Sequence, residues 1–230
     1  MNRLPRLRYH LRFATLLLLV ISCSSYSEDD YENCGTLENH YGPFDYYSPA
    51  NHTSRPGARS KISIVEVRHL TPGMLQLKKG STAVQIRQDL DYTLRAIPNH
   101  PAALDLASRF EDRRRDSTMF AKAQKPLYLS ANCYFKRAIM LTPNNGTVWM
   151  LYALHAHRQG RLNAAVERYR RAEALNLDSA VFHYNFGLTL LDVNDLEGAR
   201  EHAERAAELG YPLEGLKKRL ADRGVSVGDG

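Results

Sequence analysis

Three cysteines have the widest chemical repertoire in this 230-residue chain, because a thiol can be acylated, bridged to a second thiol, or deprotonated to hold a metal. They stand at Cys23, Cys34 and Cys133. No Cys-x-x-Cys and no Cys/His spacing joins them, so neither a zinc site nor a redox pair is indicated. The histidines offer no better ligand set. His155 and His157 lie two apart, which on a helix turns them to different sides, and His183 and His202 read as surface or packing residues. Acidic pairs such as Asp89 and Asp91 read as ordinary helix surface. His-Glu-x-x-His and Gly-x-Ser-x-Gly are absent, and Gly80-Ser81-Thr82 lacks the lysine that a phosphate-binding loop requires. The expectation is a chain with no catalytic residue, metal or cofactor.

The compartment is written in the first residues. Arg3, Arg6, Arg8 and Arg12 form a basic start, and Phe13 to Ile21 follow as an apolar run. The run has the length of a secretory h-region and about half the ~20 residues of a spanning helix. It ends in Val20-Ile21-Ser22-Cys23, which resembles the lipobox of bacterial lipoproteins, so residues 1–22 are expected to be a signal peptide. The resemblance implies that Cys23 is acylated. Ser24 after the anchor then implies the periplasmic face of the outer membrane of a diderm bacterium. An ordinary secretory cut near Ser25 or Ser27, giving a soluble periplasmic protein, is the alternative.

Removing this segment takes four of the 31 basic residues and none of the 25 acidic ones, leaving a net charge of about +2. The high isoelectric point therefore belongs largely to the export signal, and nucleic acid is not an expected partner. A basic patch survives at Arg109, Arg113, Arg114 and Arg115, continuing to Lys122 and Lys125. It is interleaved with Glu111, Asp112 and Asp116 and reads as a solvated helix end.

Acylation of Cys23 would leave two thiols in an oxidising compartment, and that even remainder invites a Cys34–Cys133 bridge. Such a bridge would staple the N-terminal segment to the body across a loop of about a hundred residues, for on the order of 4–5 kcal/mol. The alternative is that Cys133 is a small buried residue of a helix.

Residues 23–69 then form a tether and a Tyr-rich arm, with Cys34 to Tyr47 too aromatic for a plain linker and expected to pack on the body. Ile62 to Val67 alternates weakly and reads as extended. Helices follow. Thr71-Pro72 is a start signal, with Met74 to Lys79 in a degenerate first helix, and Ser81 or Thr82 can cap a helix running to Ile97.

A period of 34 residues appears in the second half of the chain. Ala131, Ala165 and Ala199 align, as do Phe135, Tyr169 and Ala203, and Ala138, Ala172 and Ala206. Trp149-x-x-Tyr152-Ala153 aligns with His183-x-x-Phe186-Gly187. These offsets resemble the tetratricopeptide repeat (TPR) family. The resemblance implies an all-α solenoid of three to four helical hairpins over residues 70–225, clearest in 146–179 and 180–212. Leu213 to Arg223 would be a capping helix and residues 226–230 a tail. The small residues give room for the rings of Trp149, Tyr169 and Phe186, with Gly160 and Asn194 in the turns. A third hairpin is read from a helix starting at Pro101 and another from Leu127 to Leu141, with a loop inserted at 116–125. Cys34-Gly35-Thr36-Leu37-Glu38-Asn39 also resembles the start of a group of proteobacterial TPR proteins, which implies no activity of its own.

In this family binding lies on the face lined by first helices, which here implies Thr147, Met150, Leu151, Leu154, His157 and Arg158, then Val181, Tyr184, Asn185, Leu188 and Leu191. The set is mostly apolar and suits an amphipathic helix or extended apolar peptide. Coverage by the chain's own arm is the alternative. The functional expectation is a scaffold that binds a protein partner in the envelope, such as a component of a pilus or secretion complex, or else an accessory subunit of an envelope enzyme. An enzyme in its own right is the remotest reading, and the oligomeric state is left open.

Overall fold

The computed structural model describes residues 34–82, 84–212 and 214–228. The expected signal segment, Cys23 and the expected tether as far as residue 33 lie outside the described residues. Within these residues the chain forms twelve helices and no strand. They are α1 (Pro49–His52), α2 (Lys61–His69), α3 (Pro72–Leu75), α4 (Ile86–Ala96), α5 (Pro101–Asp116), α6 (Thr118–Ala123), α7 (Ala131–Leu141), α8 (Gly146–Arg158), α9 (Leu162–Ala174), α10 (Ala180–Asp192), α11 (Leu196–Glu208) and α12 (Gly215–Ala221).

Helix starts are set by short polar side chains. Ser60, Ser117, Ser130, Asn145, Ser179 and Asp195 each accept a hydrogen bond from the amide three residues on. Each satisfies an otherwise orphaned donor, worth about 1 kcal/mol. Before α5 the His100 ring does the same for Ala103, with Pro101 at the first helical position.

The helices pair in sequence. α8 packs along α9 and α10 along α11, and α5 packs against α7. α8 touches both α5 and α10, so these three form one row, and α7, α9 and α11 each pack against members of it. The turns within the two clearest pairs are left-handed at Gly160 (φ 71°) and Asn194 (φ 64°), and those that close them at Asn176 (φ 58°) and Gly210 (φ 78°). Side-chain contacts repeat as well. Phe135 stacks on Tyr152 with ring centroids 5.1 Å apart, and 34 positions on, Tyr169 stacks on Phe186 at 5.0 Å. Ala131, Ala138, Trp149, Ala153, Ala165, Ala172, Ala199 and Ala206 are buried around them. The Trp149 indole donates to the Pro143 carbonyl. Gly187 is needed for close approach, since a Cβ there would stand 3.3 Å from the Ala199 carbonyl and 2.5 Å from Leu216. Leu216 belongs to α12, which buries it and Leu220 against α10 and α11 and so covers the last hairpin. Val227, assigned to the tail, packs on the same core.

The first part of the chain departs from expectation in several places. Ile62 to Val67 is helical, not extended: Ile62 and Val65 are buried three apart behind the Ser60 cap, and Ile64 and Val67 face out. α2 is therefore the partner of α4. The stretch expected to supply that partner, Met74 to Lys79, ends its helix at Leu75 and turns through Leu77 (φ 54°). α4 begins at Ile86 because Ser81 and Thr82 are held elsewhere, their amides donating to the Asp89 carboxylate. Asp89, expected on the helix surface, is buried and also meets His69 at 2.8 Å. The insert at 116–125 contains α6, which sends Phe120 against Phe110. α7 starts at its Ser130 cap, four residues later than read. Three arginines at the end of α5 also act as clasps, Arg109 donating to the Leu75 carbonyl, Arg113 to those of Gln76 and Leu77, and Arg114 to those of Ala121 and Gln124, while Arg113, Arg115, Lys122 and Lys125 are exposed.

The arm is irregular but tied down. A disulfide joins Cys34 to Cys133 of α7, with Cα atoms 5.1 Å apart, and Arg137 one turn on donates to the carbonyls of Cys34 and Thr36. Tyr41, Phe44 and Tyr46 pack on Ile62, Val65, Ala96 and Ile97 as a second, smaller core. The Phe44 amide donates to the Ala96 carbonyl, the Tyr46 amide to Asn99 Oδ1, and Asn99 Nδ2 to Asp45.

Candidate partner-binding surface

α8 and α10 carry the residues expected to face a partner, and the structure divides that set. Met150 and Leu191 are buried in the core and are not open to a partner. Leu151, Leu154, Tyr184 and Leu188 are half-buried and Val181 is exposed. Asn185 is half-buried, its side-chain amide donating to the Val181 carbonyl. The Tyr47 hydroxyl is bonded to Thr147, and its burial there pushes its pKa up to about 12. The arm therefore reaches the expected face at Thr147, while its other contacts go to α2, α4, the loop before α5 and α7.

The polar members fix the geometry of the surface. Arg158 donates to Asp105 at 2.8 Å and so ties α8 to α5. His157 meets Asp192 at 2.7 Å and the Thr189 hydroxyl at 3.1 Å, which ties α8 to α10. Arg219 of α12 closes on the other oxygen of Asp192. Partial burial of Asp192 works to raise its pKa, but the bonds from Arg219 and His157 outweigh it and the net shift is downward. The Arg158–Asp105, His157–Asp192 and Arg219–Asp192 pairs escaped the sequence reading because their members lie 27 or more positions apart, beyond the reach of helical spacing.

Two histidines form a cluster that the sequence did not announce. Nδ1 of His183 lies 2.8 Å from Nδ1 of His202, and Nε2 of His183 lies 2.8 Å from Asp178. Burial, with His183 beside it, lowers the His202 pKa to about 4. His155 and His157 do diverge: His155 is buried against Phe135 and Ser108, and His157 faces Asp192. Near Tyr184, stacked on Tyr211 at 4.1 Å, the end of the array holds a hollow of about 220 Å³ bounded by Ala203, Leu216 and Val227.

Among the described residues, no group of three or more His, Cys, Asp and Glu is placed to hold a metal ion, and no helix is long and apolar enough to cross a membrane. No protein-family model matches the chain, and no curated protein matches it.

Proposed function

We propose that this chain is a TPR scaffold of the bacterial envelope, held at the periplasmic face of the outer membrane by an acylated Cys23, that grips a helix or extended peptide of a partner protein along α8 and α10. The observation that carries the reading is the repeated ring pair, Phe135 on Tyr152 and Tyr169 on Phe186, 34 residues apart and set at 13° and 15°. Repetition of contacts as well as of letters supports one packing unit used more than once, the principle of a solenoid. Such arrays present their first helices on one side. The half-open Leu151, Leu154, Tyr184 and Leu188 on that side, with Val181, match the apolar stripe of an amphipathic helix. The Cys34–Cys133 bridge supports an oxidising compartment. Assembly of an envelope machine such as a pilus or secretion complex is a role this surface fits.

Photo-crosslinking tests the groove. A photoreactive residue at Leu154 in cells of a diderm bacterium is expected to give a discrete protein adduct, lost when Leu151 and Leu188 are changed to Glu. A probe at Glu167, on α9, is expected to give none. The same adducts from both sites, or none from Leu154, would refute the groove. An adduct that is an enzyme whose turnover changes on binding would turn the reading to an accessory subunit. Mass and fractionation test the address: an acylated N-terminal Cys23, with Cys23→Ala lost from the membrane, is expected, and an unmodified chain beginning at Met1 refutes export.

A further inference from the structure

Two segments outside the groove share an unusual composition. Residues 77–88 carry Lys78, Lys79 and Arg87, residues 117–130 carry Lys122 and Lys125, and neither contains an aspartate or glutamate. The fold locks them together. Gln85 donates to the Ala123 carbonyl at 3.0 Å and accepts from the Lys125 amide at 2.8 Å, while Gln124 accepts from the Ile86 amide at 2.9 Å. Arg87 lies over the Tyr128 ring at 4.5 Å. This reciprocal pair of glutamines brings Val84 to the end of α6, whose Met119, Lys122 and Ala123 share one face by their three- and four-residue spacing.

Val84 and Met119 are each 81 % exposed, more than any other large apolar residue described. Side chains that open have few neighbours to wall a peptide groove. Lys78, Lys79, Lys122 and Lys125 are exposed on the same two segments, and none has an ion pair among the described residues. The nearby acids Asp112 and Asp116 are taken up by Arg115. Exposed apolar side chains on segments that also carry unpaired lysines complement a surface with an anionic outer layer and an apolar interior.

We infer that this projection docks on the anionic headgroups of a lipid bilayer, with Met119 and Val84 entering the headgroup layer and the four lysines meeting phosphates. The contact orients the body on the membrane. It draws on none of the groove residues and needs no acyl chain, so it stands or falls apart from the scaffold reading.

The test is the full chain carrying Met119→Trp, an exposed position at which the ring leaves the core untouched. Phosphatidylglycerol vesicles are expected to blue-shift its emission, read as the difference from the wild-type chain with its buried Trp149, an effect reversed by salt and absent with pure phosphatidylcholine vesicles. Lys122→Gln in the same chain is expected to raise the lipid needed for half the shift about fivefold. No shift, an equal shift on neutral vesicles, or indifference to Lys122→Gln would each overturn the inference. A shift as large with poly-glutamate would overturn it too, in favour of an acidic polypeptide.

Discussion

Gly42 sits directly on the backbone of Ala96: a Cβ on Gly42 would stand 2.4 Å from the Ala96 carbonyl oxygen, and the residue's φ is 109°. Neither condition is open to another residue, because the contact is with backbone that cannot swing away and the conformation is one L side chains avoid. Gly42→Ala is therefore expected to lift the arm off the second core. Loss of the Phe44–Ala96 hydrogen bond and the surrounding burial should cost about 2 kcal/mol or more. Thermal melting gives the loss, and limited proteolysis should show new cleavage within residues 34–60.

The covalent staple can be separated from these contacts. The Cys34–Cys133 bridge spans 99 positions, for which loop-closure entropy gives a stabilisation of about 4–5 kcal/mol. Cys34→Ser with Cys133→Ser is expected to lower the denaturant midpoint accordingly and to abolish any response to reductant. Tyr46, bonded through its amide to Asn99, should remain protected from exchange in the double variant. A wild-type midpoint that reductant leaves unchanged would contradict the stabilising role.

Asp89 organises the first hairpin. Its carboxylate accepts from the amides of Ser81 and Thr82 and from the Thr82 hydroxyl, and meets His69. Burial works to raise its pKa, but the bonds from Thr82, His69 and Ser81 more than offset this and the net shift is downward. An asparagine in its place would turn an NH2 toward these donors. Asp89→Asn is expected to cost about 2–3 kcal/mol, with faster hydrogen exchange concentrated in residues 76–85.

Legibility followed the repeat. Where helices pair with near neighbours, as in α8 to α11, alanines and rings at a fixed period identified the packing residues, and all of them are buried. Met150 and Leu191 are buried although expected on the open face, because spacing locates the face of a helix but not which other elements pack on it. The first hairpin was misread for a related cause. The pattern at Ile62 and Val65 is too short to tell period two from period 3.6, and Asp89 draws off the two residues that local rules name as caps. The basic run at Arg109 to Arg115 carries no mark that its partners are carbonyls of two distant turns. The bridge was reached from cysteine number and compartment, while Arg137 beside it gave no signal.

His155 gives the fold a pH dependence whose sign can be worked out. Its ring is buried, stacked on Phe135 at 5.2 Å, with Nδ1 3.0 Å from the Ser108 hydroxyl. Burial first, then the charges of Arg161, Arg168 and Arg158, lower its pKa to about 3. The unfolded chain takes up the proton near pH ~6.5 and the folded chain does not. The stability held by the neutral ring is thus complete above about pH 6.5 and falls as the pH drops toward 3, by about 1.4 kcal/mol per pH unit. His202, lowered to about 4, acts in the same sense. Asp89 and Asp178 are carboxylates with lowered pKa values, so their contributions fade only below about pH 4, where unfolded carboxylates protonate. From about pH 7 to about pH 5 the decline should belong to the histidines. Urea midpoints across that interval are expected to fall in the wild type and to fall less steeply in His155→Gln, whose amide can still meet Ser108 without taking a proton. Parallel slopes in the two proteins would mean that the buried ring takes up its proton with the fold intact.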